Sequence, residues 1–105
     1  MIRVTGFYRW AEDAHFDHAY FNSEHGRITR EALSSLGLLR LESDQFLSPK
    51  APVVGEIVAS TNAYFADLAT AQTALAKAGA ALMADVPNYT NLQTEIRFSE
   101  VSTHV

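Results

Sequence analysis

Three of the four histidines of this chain lie between residues 15 and 25. The stretch Phe16-Asp17-His18-Ala19-Tyr20-Phe21-Asn22-Ser23-Glu24-His25 therefore holds its best material for proton-transfer chemistry. Asp17 suits the N-cap of a helix, where its carboxylate accepts the orphan N–H groups of the first turn. That places Phe16 at N′ and Phe21 at N4, the two positions of a hydrophobic staple. The stripe that follows reads Phe21, His25, Ile28, Ala32 and Leu36, spaced as one face of a helix. His25 thus stands where a leucine is expected, and a polar ring there must find a partner or be used for chemistry.

Two readings of His25 stay open from the residues alone. It is a core histidine bonded to a backbone carbonyl or buried carboxylate, or it is a general base. An apolar surrounding lowers an imidazole pKa, and a neutral ring can take a proton from an activated C–H or O–H beside a carbonyl. Tyr20, near the start of the same helix, either packs with its hydroxyl at the rim or donates to a substrate oxygen. A metal site is not expected. His18 and His25 lie seven residues apart, about 10.5 Å along a helix axis, and Glu24 faces about 100° away from His25. No HExxH, P-loop, GxGxxG or GxSxG pattern occurs. With no cysteine, thiol catalysis and disulfides are excluded.

The elements that must hold His25 follow from alternation and from breakers. Residues 2–10 alternate as a strand, with Ile2, Val4, Gly6, Tyr8 and Trp10 on one side. A helix runs from Asp17 to about Ser35 and stops at Gly37. Gly26 inside it costs up to about 1 kcal/mol against alanine, so either the backbone approaches something there or the helix is irregular beside His25. A second strand spans Leu38 to about Leu47, with Leu39, Leu41 and Leu47 sharing one side. Pro49 and Pro52 make a loop, and a third strand runs from Val53 to about Tyr64. Asp67 caps an alanine-rich helix that Gly79 is expected to end or break, with a further turn or two from Ala80 to Val86. The last strand runs from Leu92 to about Ser102.

The order β-α-β-β-α-β predicts one ferredoxin-like α+β domain over 1–105, with two helices on one face of a four-stranded antiparallel sheet. Phe7, Phe46 and Val101 fall on the otherwise polar sides of their strands. The open face is therefore expected to pair with a second copy, as a homodimer closing a barrel. No leader precedes the first strand, no apolar run approaches the roughly 18 residues of a membrane span, and the formal charge is −4 with scattered basic residues. These features predict a cytoplasmic protein that binds neither membrane nor nucleic acid.

Three blocks resemble the EthD family, named for ethyl tert-butyl ether degradation, of the dimeric α+β barrel superfamily. The Phe16–His25 stretch resembles F-D-x-x-Y-Y-x-x-x-H. Met83-Ala84-Asp85-Val86-Pro87-Asn88-Tyr89-Thr90 resembles M-x-D-I/V-P-N-F/Y-T, and the final strand closes on Ser99-Glu100-Val101. Gly26 and the polar third strand depart from the pattern. The resemblance implies a small-molecule catabolic protein with His25 at its site and brings in two further residues. Asp85 either orients His25 or caps the Pro87 turn, and Asn88 either stabilises that turn or binds substrate. The implied function is a cofactor-free, oxidoreductase- or isomerase-like enzyme acting on an organic carbonyl or phenolic compound. The alternative is a non-catalytic module delivering an intermediate to a partner oxygenase. Fold alone does not choose between them.

Overall fold

The computed structural model describes all 105 residues. Strand β1 spans Ile2–Arg9, β2 Arg40–Gln45, β3 Ile57–Phe65 and β4 Thr94–Glu100. Helix α1, residues 18–36, joins β1 to β2, and α2, Leu68–Asp85, joins β3 to β4 through a 3₁₀ turn at Val86–Asn88. The strands lie in the order β2-β3-β1-β4, every pair antiparallel. This is the ferredoxin-like arrangement that the element order predicts. No helix is long and apolar enough to cross a membrane.

The alternation of β1 sorts the two faces. Ile2 and Val4 join Ala63 and Phe65 of β3, Leu33 of α1 and the alanines Ala71, Ala74 and Ala78 of α2 in one buried cluster. Small alanines let α2 lie close to the sheet. A second cluster, around Tyr8, Phe21, Val58, Val86, Tyr89 and Leu92, fills the other end under the start of α1. The opposite sheet face carries no helix. There the rings of Phe7 and Tyr64 are buried beneath guanidinium groups, Arg9 and Arg97 over Phe7 and Arg40 over Tyr64. Beside them Asp44 accepts from Ser60 Oγ at 2.9 Å and Asn62 Nδ2 at 2.8 Å, so Ser60 and Asn62 of β3 find their partner across the sheet.

Several boundaries differ from expectation, each for a physical reason. Strand β2 is shorter at both ends, and Leu39 and Leu47 are exposed rather than aligned with Leu41 on a buried side. Strand β3 begins at Ile57 because Val53–Glu56 is a tight turn around Gly55, at φ +92°, whose N–H donates to Trp10 O at 2.7 Å. Strand β4 begins two residues after Leu92, which is buried in the second cluster instead. Gly79 neither ends nor breaks α2, which runs unbroken to Asp85. The burial of the alanine face and the high helix propensity around it exceed the penalty of roughly 1 kcal/mol for one glycine.

Both caps form as their residue types predict. Asp17 Oδ1 accepts from Tyr20 N at 3.0 Å, Asp67 Oδ1 from Thr70 N at 2.8 Å, and the Phe16 and Phe21 rings meet at 5.0 Å as a staple. Gly37 closes α1 at φ +96°, and a Cβ there would lie 2.6 Å from Thr70 Cγ2. Gly55 shares the positive φ but has open space around it. Left-handed backbone costs an L-residue about 1–2 kcal/mol, and overpacking a stiff β-branched neighbour adds about 1–3 kcal/mol. Urea unfolding should therefore show Gly37→Ala destabilised by about 2–5 kcal/mol and Gly55→Ala by about 1–2 kcal/mol. Equal losses would mean that Thr70 gives way freely.

Candidate functional site

Helix α1 is not a uniform α-helix. His18–Tyr20 is followed by a π segment, Phe21–His25, then by α geometry over Gly26–Leu33 and a 3₁₀ turn, Ser34–Leu36. The irregularity anticipated at Gly26 is therefore real, and no close approach accompanies it: a Cβ on Gly26 would meet only Phe21 O, at 3.9 Å. The wider π turn also shifts the buried line. Beyond His25 the buried residues are Thr29 and Leu33, one position later than the predicted Ile28 and Ala32. Thr29 Oγ1 donates to His25 O at 2.7 Å, so its hydroxyl is satisfied by its own helix.

His25 is 6% exposed, and its ring stacks on Phe21 and leans on Tyr89, with ring centroids at 5.6 and 4.6 Å. Its Nδ1 lies 2.8 Å from Asp85 Oδ2. The other oxygen of Asp85 accepts from Tyr20 OH at 2.7 Å and Asn88 Nδ2 at 2.9 Å. The four residues singled out from the sequence, His25, Asp85, Tyr20 and Asn88, thus meet around one carboxylate. Burial opposes ionisation of Asp85, but the donors Asn88, His25 and Tyr20 outweigh it and hold its pKa below the ordinary carboxylate value. An ionised Asp85 can only accept, so His25 Nδ1 carries a hydrogen, and in the neutral ring Nε2 bears the lone pair.

Asp85 is the last residue of α2, where the helix dipole disfavours an anion. Its donors come from α1 and from the turn after α2, and the chain clips these two segments together. Asp17 N donates to Tyr89 O at 2.8 Å, Thr90 Oγ1 to His15 O at 2.7 Å and Asn91 Nδ2 to Asp13 O at 2.9 Å. A lone antiparallel bridge pairs Phe16 with Thr90. The first two EthD-like blocks are therefore one structure, the two halves of a single clasp around Asp85.

Two tyrosines that the sequence reading did not single out complete the site. Tyr89 OH lies 3.4 Å from His25 Nε2 and shares a short hydrogen bond with Tyr8 OH. Burial raises the pKa of both phenols, so each remains protonated and able to donate. The available signal was the inward phase of Tyr8 on β1, because a buried tyrosine hydroxyl needs a partner. His25 and Tyr8 both line a cavity of about 150 Å³ between α1, α2 and the sheet, whose other walls are mostly apolar. Tyr20, Asn88 and Asp85 are not among its lining residues. Tyr20 and Asn88 direct their polar groups to Asp85, so neither contacts this cavity as a substrate-binding residue would. Asn88 Nδ2 bonds back to the end of α2, and Tyr20 OH donates to the same carboxylate oxygen. No three His, Asp or Glu side chains cluster as metal ligands would.

No protein-family model and no curated protein matches the sequence. Solved structures do match. An EthD-like protein from Ralstonia eutropha superposes with a TM-score of 0.82 at 25% identity, covering 99% of this chain and 94% of that one. An ethyl tert-butyl ether degradation (EthD) family protein from Bacillus halodurans gives a TM-score of 0.69 at 18% identity, covering 97% and 99%. A dimeric protein of unknown function with a ferredoxin-like fold, from Bacteroides fragilis, gives 0.56 at 9% identity over 95% of each chain. In its fold this chain is similar to EthD-like proteins.

Proposed function

We propose that the protein is a cofactor-free enzyme of small-molecule catabolism, with His25 as the general base toward an organic carbonyl or phenolic substrate. The observation that carries this reading is the 2.8 Å contact between Asp85 and His25 Nδ1 at the wall of an apolar cavity. A base in such a place takes a proton from a C–H beside a carbonyl, or from a phenolic O–H, on Nε2. The imidazolium that forms is stabilised by the carboxylate on the other side of the ring. Tyr20 and Asn88 act as positioning residues through Asp85. Tyr8, which lines the cavity, offers its protonated hydroxyl to an oxygen on which negative charge develops, and Tyr89, which does not line it, positions Tyr8 through their shared hydrogen bond.

The reading extends to a homodimer that buries the helix-free sheet face, supported by the fold shared with a dimeric protein. On this reading sedimentation at micromolar concentration gives a dimer, and a monomer would refute the pairing.

Two measurements test the site. In a thermal-shift screen of aromatic and lactone metabolites, a compound that stabilises the wild type should fail to stabilise His25→Ala while that variant stays folded. Turnover of such a compound should fall about 10²–10⁴-fold without the base. Binding with release of unchanged compound would instead make the protein a delivery module. The second measurement uses pH. A carboxyl whose folded pKa is depressed adds stability above its unfolded pKa of about 3.9, and that stability is lost as pH falls through the folded value. Asp85→Asn should therefore melt below wild type at neutral pH, with the gap closing below about pH 4. A constant gap would show that Asp85 is not held ionised by its donors.

A further inference from the structure

The cavity beside His25 carries a size limit of its own. Helix α2 faces it with Leu75, Gly79, Leu82 and Met83, positions of one helical stripe, and Val86 of the following turn extends that wall. A glycine inside a helix costs roughly 0.5–1 kcal/mol against alanine and is usually required by a positive φ or a close backbone approach. Neither applies to Gly79. Its φ is not among the positive ones, and a Cβ built on it meets nothing within 4 Å. What the missing side chain leaves is empty space, and that space belongs to the cavity.

The chemistry of the walls narrows what could fill it. None of the lining residues is Asp, Glu, Lys or Arg, so a ligand ion would lose its hydration without a counter-charge. The volume of about 150 Å³ is that of an apolar cavity able to take up one benzene ring. A polar handle is present at the sheet side, where Thr94 Oγ1 is buried beside Tyr8 without a hydrogen-bond partner of good geometry. Met83 and Ile96 line the cavity and are also exposed, which puts them at its mouth.

We propose that the cavity binds an uncharged, single-ring organic molecule with one polar substituent, and that Gly79 is the specificity-determining residue that sets the size admitted. The proposal rests on the reading of the His25 cavity as the ligand site and adds its substrate class and its size gate.

Calorimetric titration with phenol and 2-naphthol, on wild type, Gly79→Ala, Gly79→Leu and His25→Ala, tests it. Wild type should bind phenol at least tenfold more tightly than 2-naphthol. Gly79→Ala should melt higher by about 2–6 °C, because helix propensity improves without a clash, and should bind phenol several-fold more weakly. Gly79→Leu should fold no less stably than wild type and lose at least tenfold in phenol affinity. Phenol affinity in Gly79→Leu within twofold of wild type, or equal binding of the two probes by wild type, overturns the size gate. If His25→Ala loses phenol binding while Gly79→Leu keeps it, only the gate falls. If wild type binds neither probe, the assigned substrate class falls with it. Binding of any carbonyl compound that His25→Ala abolishes would then still support His25 as the site, whereas no such binding removes both.

Discussion

A carboxylate that is 8% exposed at the negative end of a helix dipole persists only if donors surround it. Asp85 meets that requirement with three, Tyr20 OH, Asn88 Nδ2 and His25 Nδ1. Hydrogen bonds to charged groups contribute about 1.5–3 kcal/mol each, so this cluster weighs heavily in a domain whose net stability is of order 5–15 kcal/mol. Two of the donors lie on α1 and the third on the turn after α2. Satisfying one anion therefore fixes the start of α1 against the end of α2, and with them the wall of the cavity. The backbone clasp between residues 13–17 and 89–91 holds the same junction from outside.

The π segment is the second half of that constraint. Its wider turn directs both Phe21 and His25 inward and delivers Thr29, rather than Ile28, to the buried line. A regular helix would place Ile28 there. The threonine contributes an already satisfied hydroxyl and a methyl group, so the cavity stays apolar next to the histidine. Irregular helical geometry at His25 is in this sense a way of setting one polar ring in an otherwise greasy wall.

Most of the fold was legible because its signals are local. Asp17, Asp67 and Gly37 act through their own turns, and the alternation of β1 needs no knowledge of the rest. Gly79 misled because intrinsic propensity was outweighed by burial of Ala71, Ala74 and Ala78, a tertiary effect. Leu39 and Leu47 misled because hydrophobic type alone does not say how far a strand stays paired. In the site, His25 was legible as an apolar-face anomaly. The grouping of Asp85, Tyr20 and Asn88 rested on blocks whose spatial meaning only the clasp reveals. Tyr8 and Tyr89 were not found, since their significance lies in a hydrogen bond across 81 residues of sequence.

Asp85 holds His25 with a hydrogen on Nδ1, which leaves the lone pair on Nε2, 3.4 Å from Tyr89 OH. Nitrogen NMR of the His25 ring, at a pH where the ring is neutral, tests this directly. The Nδ1–H tautomer is expected, with its proton coupled to a nitrogen whose shift changes on substitution Asp85→Ala. A neutral ring protonated on Nε2 would contradict this, because the lone pair would then face the carboxylate and Nε2 could not serve as the base.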